Sequence, residues 1–378
     1  MREIARLSPV ARTDIGYAAV HHDTVTKVLR DRRWHSAAGL AAQLTGSVDP
    51  RLNRGRVSIL SAEGDTHARL RRLVAPAFSP RSADRLRPFM RQVIDSLIGP
   101  ACASGRTEFV TDVCEPYPIP IICELLGAPK EDWQSFSVWA TDILRIFNGT
   151  LDEDADRIVA AREAIDAYVT ALIAERRDKP ADDLLTDLIA AEEEGDRLSN
   201  EELVMMVEAV IVGGTDTTRN QLGLCMSLFL DHPDQWDLLA SDPGLAPRAV
   251  EECMRYWGAV NGTIRFASED IEMDGVLYPK GTFMSASLGT ANFDPLVFPG
   301  AESFDITREP VGSPHMSFGS GIHYCLGASL ARAELQEALT VLPARMPGMR
   351  RDGDTEMKPA TTAIFGPARM PIAFEPGH

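Results

Sequence analysis

Cys325 stands in a stretch whose residue types could carry out chemistry, Phe318-Gly-Ser-Gly-Ile-His-Tyr-Cys-Leu-Gly327. Two glycines two positions apart permit tight backbone turns and a close approach to a flat ligand. The cysteine comes just before a long helical pattern, and the free N–H groups and positive dipole end of a helix stabilise an anion. These conditions lower the pKa of a thiol and favour the thiolate. The residue types therefore predict thiolate chemistry at Cys325.

Cys325 also has two plainer interpretations. A lone cysteine in a glycine-rich loop is more often a buried structural residue than a ligand. A zinc site on His323 and Cys325 is less favoured, because closed zinc sites usually bring CxxC or Hx₃₋₅H spacing. The loop by itself leaves these alternatives open.

Asp216 and Thr217 lie in a second stretch of this kind, Gly213-Gly-Thr-Asp-Thr-Thr218, inside a long helical pattern. An acid beside an alcohol can deliver protons to a reduced oxygen species. Each interior glycine costs about 1 kcal/mol relative to alanine, so two adjacent glycines need a reason. One reason is close packing of another helix. The other is a local opening of the helix over a cofactor, with hydroxyl groups rebonding the freed carbonyls.

Two further spacings place charged residues on one face of a helix. Glu252 and Arg255 are three positions apart, and His67 and Arg71 are four apart. Residues at these spacings are neighbours on a helix surface. An exposed pair contributes little to stability, and a solvated charged face is the plainer interpretation of the second spacing.

Taken together, these stretches resemble the cytochrome P450 family. The string FGSGIHYCLG matches the family's haem-binding loop, FGxGxHxCxG, at every fixed position, and GGTDTT resembles its oxygen-activation motif, (A/G)GxDTT. The other two spacings match its ExxR and HxxxR segments. The resemblance runs from about Ala19 onward in the same order and spacing. It implies the cytochrome P450 fold, which is mainly α with a small antiparallel β region and a long central helix over the haem.

The resemblance implies a haem b cofactor (iron protoporphyrin IX) and residues that bind it. Cys325 would be the axial ligand of the iron, and Phe318 would pack against the ligand loop. His323 and the HxxxR pair would bind the haem propionates, as would an arginine on the first strand of the β region. The implied cofactor-binding residues are His67, Arg71, Arg265, Phe318, His323, Cys325 and Gly327.

The resemblance also implies an activity. Thr217 would hydrogen-bond dioxygen and Asp216 would supply protons through water, so that one oxygen atom from O2 enters a substrate. Electrons would come from a ferredoxin and a ferredoxin reductase. Glu252, Arg255 and Arg308 would have a structural role in holding the cysteine loop.

Substrate contacts are expected in segments that vary freely within the family. By position they include Val57 to Leu60, Met284 and the residues Ala209, Val210, Gly213, Val260, Asn261, Thr263, Ile364 and Phe365. Most are apolar, with Asn261 and Thr263 as possible hydrogen-bond donors. These positions predict a mostly hydrophobic small organic substrate with at least one polar anchor.

Five arginines, Arg69, Arg72, Arg81, Arg85 and Arg87, suggest a basic patch for an acidic ferredoxin, although a solvated face explains them equally well. The chain departs from the family pattern in three places. Its N-terminus begins late, Phe293 stands where the family commonly has arginine, and Asn261 is polar where the strand enters the substrate cavity.

The elements that must position these residues are mostly helices. Ser199 and Glu202 form a capping box, and the apolar pattern that follows continues to Leu230, which is a helix of roughly 45 Å at 1.5 Å per residue. Other helices are predicted over residues 65–78, 84–99, 131–147, 152–178, 247–257 and from just after Cys325 to about Leu342. Strands are predicted over 263–267, 271–273, 276–278 and 282–288, with Asp274-Gly275 as a hairpin turn. No domain boundary is evident, so residues 1–378 are expected to form one catalytic domain.

Composition limits where the protein works. The net charge of the 378 residues is −17, which argues against nucleic acid as a partner because phosphate binding needs a basic face. No stretch approaches the roughly 20 apolar residues of a membrane span. Six cysteines without a CxxC pair are typical of reduced thiols. A monomeric cytoplasmic protein is expected.

Two other functions remain open at this stage. A peroxide-driven oxygenase is disfavoured by the acid–alcohol pair, which such relatives typically lack. A haem-based sensor or scaffold is disfavoured by the complete cysteine loop together with that pair.

Overall fold

A computed structural model gives the fold, and the structure describes residues 2–40, 49–52, 58–147, 151–193, 198–312, 314–360 and 362–377. Helices dominate, and the strands form small sheets, so the predicted mainly α architecture is confirmed. The α-helices are α1 (Arg2–Ala5), α2 (His22–Arg30), α3 (Gly64–Val74), α4 (Pro80–Cys102), α5 (Pro118–Leu126), α6 (Trp133–Leu144), α7 (Leu151–Asp178), α8 (Leu184–Glu193), α9 (Asn200–Asp231), α10 (Pro233–Ser241), α11 (Ala246–Tyr256), α12 (Leu288–Ala291) and α13 (Ala328–Arg345).

The strands are β1 (Val10–Thr13), β2 (Gly16–Ala19), β3 (Trp34–Ser36), β4 (Arg106–Glu108), β5 (Thr263–Ala267), β6 (Ile271–Met273), β7 (Val276–Tyr278), β8 (Phe283–Ala286), β9 (Arg350–Arg351), β10 (Glu356–Met357), β11 (Pro367–Arg369) and β12 (Pro371–Ala373). The largest sheet has the order β1-β2-β8-β5-β3, and within it only β2 and β8 pair in parallel. The predicted hairpin is β6–β7, and Asp274 (φ 52°) and Gly275 (φ 78°) both adopt the left-handed conformation that its turn requires.

The long helix α9 begins as the sequence predicts. The Ser199 side chain accepts a hydrogen bond from the Glu202 N–H at 3.2 Å, and the Glu202 carboxylate accepts one from the Ser199 N–H at 2.8 Å. Its 32 residues span about 48 Å. It packs against α5, α6 and α7 and also against α10, α11 and α13. The helix therefore crosses the main hydrophobic core.

Several boundaries differ from the prediction for physical reasons. The helix expected over 65–78 ends at Val74 and continues as a 3₁₀ turn to Phe78, because Pro76 has no N–H to donate. The last helix begins at Ala328, since the Cys325 carbonyl first accepts a bond from the Ala328 N–H at 3.4 Å in a tight turn. The predicted junction at Asn148-Gly149 lies outside the described residues.

The core joins distant parts of the chain. Helix α13, which follows the cysteine loop, packs along α4 and against α11. One cluster of buried side chains extends from Ala62 to Phe374. Among the described helices, none combines the length and apolar character needed to cross a membrane.

Candidate active site

The loop before Cys325 depends on its glycines. Gly319 and Gly321 have φ values of 69° and 72°, which other residues rarely adopt. A Cβ atom on Gly321 would lie 2.1 Å from the Leu29 carbonyl oxygen, so the loop packs tightly on α2. The Cys325 N–H donates to the Phe318 carbonyl at 2.9 Å and closes the loop. The Arg332 guanidinium stacks 4.4 Å from the centre of the Phe318 ring.

Cys325 is exposed, whereas the other free cysteines of the described residues are buried. Burial nevertheless raises its pKa, while the Gly327 N–H, Arg71 and Arg332 oppose that rise. The two observations agree if protein surrounds the thiol on most sides while its sulfur faces an internal space. The sequence prediction of a lowered pKa is therefore wrong for the protein alone. The helix end contributes as expected, but burial outweighs it.

A closed zinc site finds no support around this thiol. Such a site needs four ligands, and the described residues include no group of three or more His, Cys, Asp or Glu placed to share an ion. Among the described residues, Cys325 is therefore a single thiol without the partners that a closed zinc site needs. A bound metal cation deprotonates such a thiol outright, so a high pKa in the protein alone does not prevent ligation.

His67 and Arg71 on α3 approach the cysteine loop. Arg71 donates to the carbonyls of Ile322 and Tyr324 at 3.1 and 2.7 Å. The His67 ring lies 4.5 Å from the His323 ring, and its buried Nε2 has no hydrogen-bond partner among the described residues. Burial lowers the pKa of His67 to about 4, so its ring is neutral near pH 7.

Glu63 is a site residue that the sequence analysis missed. One of its carboxylate oxygens lies 3.0 Å from His323 Nε2 and accepts the Ser36 N–H at 2.6 Å. Burial would raise the pKa of Glu63, but the His323 and Ser36 hydrogen bonds outweigh it and hold the pKa below its ordinary value. The only sequence signal was an acidic residue just before α3, which does not indicate a distant partner.

Arg265 on β5 completes a group of nitrogen donors. It is 5% exposed, donates to the Thr263 hydroxyl at 2.9 Å and to the Ile264 carbonyl at 3.1 Å, and pairs in register with Ser36. Burial lowers its pKa, and the Glu63 carboxylate opposes this. Strand β5, helix α3 and the cysteine loop thus bring Arg265, His67, Arg71 and His323 toward one region, where donors suited to carboxylates lie beside the thiol.

The two adjacent glycines in α9 have different surroundings, so their presence has two different explanations. A Cβ on Gly214 would lie 2.4 Å from Ile122 Cδ1, so Gly214 allows close packing of α5. No atom of the described residues lies within 4 Å of a Cβ placed on Gly213. Helix α9 stays α-helical throughout, so the local opening considered from the sequence is not present. The Thr217 hydroxyl donates to the Gly213 carbonyl at 2.8 Å.

Asp216 lies three residues after Gly213 on α9, on the side of the helix turned away from Thr217, and its side chain is 7% exposed. Its Oδ1 forms a close ion pair with Arg219, but no described donor is aligned with that oxygen as a hydrogen bond. Arg219 is in turn held by the Ser137 and Thr141 hydroxyls at 3.3 and 2.8 Å. The sequence analysis missed Arg219, whose i,i+3 spacing from Asp216 was its only signal.

The structure brings Glu252, Arg255 and Arg308 together. Arg255 donates to both Glu252 oxygens at 2.7 and 2.8 Å, and Arg308 Nε donates to Glu252 at 3.0 Å. Arg255 also donates to the Asn292 carbonyl at 3.0 Å. The Phe293 ring, where the family commonly has arginine, lies 5.4 Å from this guanidinium.

Asn292 connects this ion-pair group to the cysteine loop, a role that the sequence analysis missed. Its side chain accepts the Met316 N–H at 2.6 Å and donates to the Ser317 hydroxyl at 2.9 Å. The Ser317 hydroxyl donates to the Met254 carbonyl at 2.6 Å. A chain of hydrogen bonds therefore runs from α11 to the residue before Phe318.

The family comparisons agree with this geometry. Residues 128–240 and 244–342 match the family model described as cytochrome P450. Nocardicin C N-oxygenase of Nocardia uniformis subsp. tsuyamanensis is 35% identical over 363 residues, which cover 95% of this chain and 89% of the relative. The chain belongs to the cytochrome P450 family. It is an oxidoreductase, a P450 monooxygenase, and the family implies a haem-thiolate cofactor, O2 and a small substrate.

Two further comparisons place this P450 among bacterial members. Mycinamicin IV hydroxylase/epoxidase of Micromonospora griseorubida is 34% identical over 384 residues, which cover 98% of this chain and 94% of the relative. The crystal structure of CalO2 superposes with a TM-score of 0.91 at 34% identity and covers 99% of this chain and 95% of that one. The predicted family and fold are thus confirmed.

The residues predicted to contact substrate occupy several elements of the P450. Ala209, Val210 and Gly213 lie on α9, and Val260, Asn261 and Thr263 lie at or before β5. Ile364 and Phe365 lie between β10 and β11, where the Phe365 N–H donates to the Ala259 carbonyl at 2.8 Å beside Val260. The Thr263 hydroxyl already accepts from Arg265, which leaves Asn261 as the clearer polar candidate. Met284 is fully buried, and Val57 lies outside the described residues.

The predicted basic patch is partly neutralised. Arg69 forms an ion pair with Glu202. Arg87 pairs with Asp84 and Glu337 at 2.7 and 3.1 Å. These two arginines therefore contribute less positive charge to a docking face than the sequence suggested, because Asp84 on the same helix as Arg87 and Glu202 and Glu337 on other helices pair with them.

Proposed function

We propose that this P450 binds haem b through Cys325 and inserts one atom of O2 into a mostly hydrophobic small organic substrate. The observation that carries the proposal is the exposed Cys325 thiol beside a group of nitrogen donors, His67, Arg71, Arg265 and His323. Haem b carries two propionate carboxylates, which charge-assisted hydrogen bonds from such donors suit. The buried, unpartnered Nε2 of His67 supports the same fit.

The haem, held by the Cys325 thiolate, supplies the oxygen activation and O–O bond cleavage when bound. The protein supplies position and protons. On α9, Gly213 leaves space beside Thr217, and the Thr217 hydroxyl can turn from the Gly213 carbonyl to donate elsewhere. Asp216 directly precedes Thr217 in the sequence, and its carboxylate can carry protons toward this hydroxyl through water.

The ion-pair group has a structural role in this proposal. Glu252, Arg255 and Arg308 bind one another and, through Asn292, fix the residues before Phe318. A loop fixed on both sides holds the Cys325 sulfur in one place. These residues act through the loop and do not touch the reacting atoms.

The remaining parts of the proposal concern partners and substrate. Electrons arrive singly from a ferredoxin and its reductase. One buried cluster from Ala62 to Phe374 supports a single catalytic domain of residues 1–378. The domain is proposed to act as a monomer. Buried free thiols are typical of the cytoplasm. Because relatives are named for acting on nocardicin C and mycinamicin IV, the substrate is proposed to be a secondary metabolite, with Asn261 as its polar anchor.

The absorption spectrum of the dithionite-reduced protein with and without carbon monoxide tests the proposal. A strongly red-shifted Soret band is expected, because it reports a thiolate ligand on ferrous haem. Cys325→His should abolish it, while Cys102→Ala, a cysteine remote from the loop, should retain it. Absence of haem after reconstitution, or a neutral-ligand spectrum in every preparation, contradicts the proposal.

A further inference from the structure

Gln221 is a buried amide on α9 that the proposed oxygen chemistry does not use, and the residue is 4% exposed. It lies one helical turn after Thr217, and residues four apart share a helix face. Its Nε2 donates to the Trp257 carbonyl at 3.0 Å, and its Oε1 accepts the Ala259 N–H at 2.9 Å. One side chain therefore bonds to two backbone groups of the segment that connects α11 to β5.

This connecting segment, residues 257–262, belongs to neither a helix nor a strand. Buried backbone N–H and C=O groups nevertheless need partners. A primary amide carries a donor and an acceptor side by side, as a neighbouring strand would present them, and Gln221 takes that place. On the other side, a Cβ on Gly258 would lie 3.0 Å from the Ser317 hydroxyl oxygen. The segment is thus packed between α9 and the residues before Phe318.

A second segment is attached to the first through the same backbone. The Phe365 N–H, between β10 and β11, donates to the Ala259 carbonyl at 2.8 Å. The Trp257 and Phe365 rings lie 6.0 Å apart between their centres. A small hydrophobic cluster fills the space between the two segments, and its buried members are Leu224, Ala259 and Ile364. Ala259 therefore transmits the position of the Gln221 amide to the turn that carries Phe365.

Both segments carry residues that were predicted to contact substrate. Val260 and Asn261 directly follow Ala259, and Ile364 directly precedes Phe365. The Asn261 carbonyl also accepts the N–H of the second residue of α12 at 3.0 Å, so the first segment is fixed beyond Val260 as well. A shift of Ala259 would therefore move two walls of the expected substrate cavity together.

We propose that Gln221 is a positioning residue that determines substrate specificity, because its amide fixes the separation of these two segments. The inference rests on the proposed function, which places both segments beside a mostly hydrophobic substrate. Gln221 touches no reacting atom and acts through the Ala259 backbone. A wall that is rigid before binding loses less freedom than a mobile one. A ligand that reaches both segments therefore gains affinity from Gln221, whereas a very small ligand does not.

The first test follows amide hydrogen exchange in the purified protein by mass spectrometry with fragmentation to single residues. Gln221→Met nearly keeps the side-chain volume but loses both hydrogen bonds. The Ala259 amide should exchange about tenfold faster, because a single hydrogen bond contributes a factor of that order. The Phe365 amide should also exchange faster, because its acceptor is no longer fixed. Unchanged exchange at Phe365 overturns the inference, whether or not the enzyme oxygenates any compound.

Three comparisons separate this effect from a general loosening of the fold. The Ala267 amide on β5, which donates to the Thr282 carbonyl at 2.9 Å, should exchange as in the parent protein, and equal acceleration there overturns the inference. Gln92→Met makes the same substitution at an exposed position of α4 and should change nothing. Gln221→Glu is the conservative variant. Burial keeps its carboxyl group neutral, so both hydrogen bonds can form and slow exchange should return.

The second test measures the affinity of the ferric holoenzyme for imidazole and for 4-phenylimidazole by absorption difference spectra. Imidazole is too small to reach both segments, so its Kd should stay within about twofold in Gln221→Met. The phenyl ring of 4-phenylimidazole extends into the substrate cavity, and its Kd should rise about tenfold because the walls are no longer fixed before it binds. Gln221→Glu should restore the parent value. Equal changes for the two ligands, or no change for either, overturn the inference.

Failure of the proposed function has a different signature. A parent protein whose carbon monoxide spectrum shows no thiolate-bound haem contradicts the proposed function. The exchange test does not depend on that spectrum, and it still decides whether Gln221 fixes the two segments.

Discussion

Thr217 can be tested at the scale of one hydroxyl group. Its Oγ1 donates to the Gly213 carbonyl, so the hydroxyl is not needed for another helix–helix contact. Thr217→Ala should therefore leave folding intact but uncouple the reaction, with hydrogen peroxide replacing most of the product. The measurement is product and peroxide per reducing equivalent consumed with O2.

Thr217→Ser is the matched control, since it keeps the hydroxyl and loses only a methyl group. Its coupling should stay close to that of the parent protein. If Thr217→Ala instead retains full activity when driven by peroxide and shows no uncoupling, the peroxide-driven alternative gains support. Neither result depends on knowing the native ferredoxin, because a surrogate reductase system supplies electrons to all three proteins equally.

The sequence reveals local structural patterns better than contacts between residues that are distant in the chain. The Ser199–Glu202 capping box and the Asp274-Gly275 turn were predictable because each is settled within a few residues. Glu63 and Asn292 were not, because their partners, His323 and Met316, are distant in sequence. The direction of the Cys325 pKa was wrong for the same reason. A helix end is visible in the sequence, whereas burial depends on the whole fold.

At the scale of elements, the Glu252 ion-pair group joins α11 to the segment that precedes the cysteine loop. Arg255 is 3% exposed and bonds to Glu252, and both are buried. Glu252→Gln leaves two arginines without their charged partner, and breaking a buried pair costs about 3–5 kcal/mol. The variant should unfold at a lower temperature and retain less haem per protein, as measured by thermal denaturation and the haem-to-protein ratio.

Glu309→Gln is the matched control for this prediction. Glu309 pairs with Arg248 at 2.9 Å on the surface, where its side chain is 77% exposed. An exposed pair contributes only about 0–1 kcal/mol, so this variant should behave like the parent protein. Equal stability of the two variants would contradict the structural role given to Glu252.

Glu251 links three parts of the molecule, namely α11, α13 and the loop before Phe318. Its ionisation should therefore affect the stability of the whole fold in acid. Glu251 contacts Arg332 at 2.6 Å and His315 at 3.3 Å. Burial would raise its pKa, but the close contacts with His315 and Arg332 outweigh it and lower the pKa to about 2. Because the side chain is 42% exposed, solvent screens part of this effect.

The sign of the pH dependence follows from linkage. A carboxyl group whose pKa is lower in the folded state stabilises the fold above its unfolded value of 4.5, and this contribution is lost as the pH falls toward 2. Glu251→Gln should therefore reduce the free energy of unfolding at pH 7, and the difference from the parent protein should shrink progressively below pH 4.5. Denaturant unfolding at pH 7, 5 and 3.5 measures it. A difference that stays constant over this range would mean that Glu251 stabilises the fold by packing, and not by its charge.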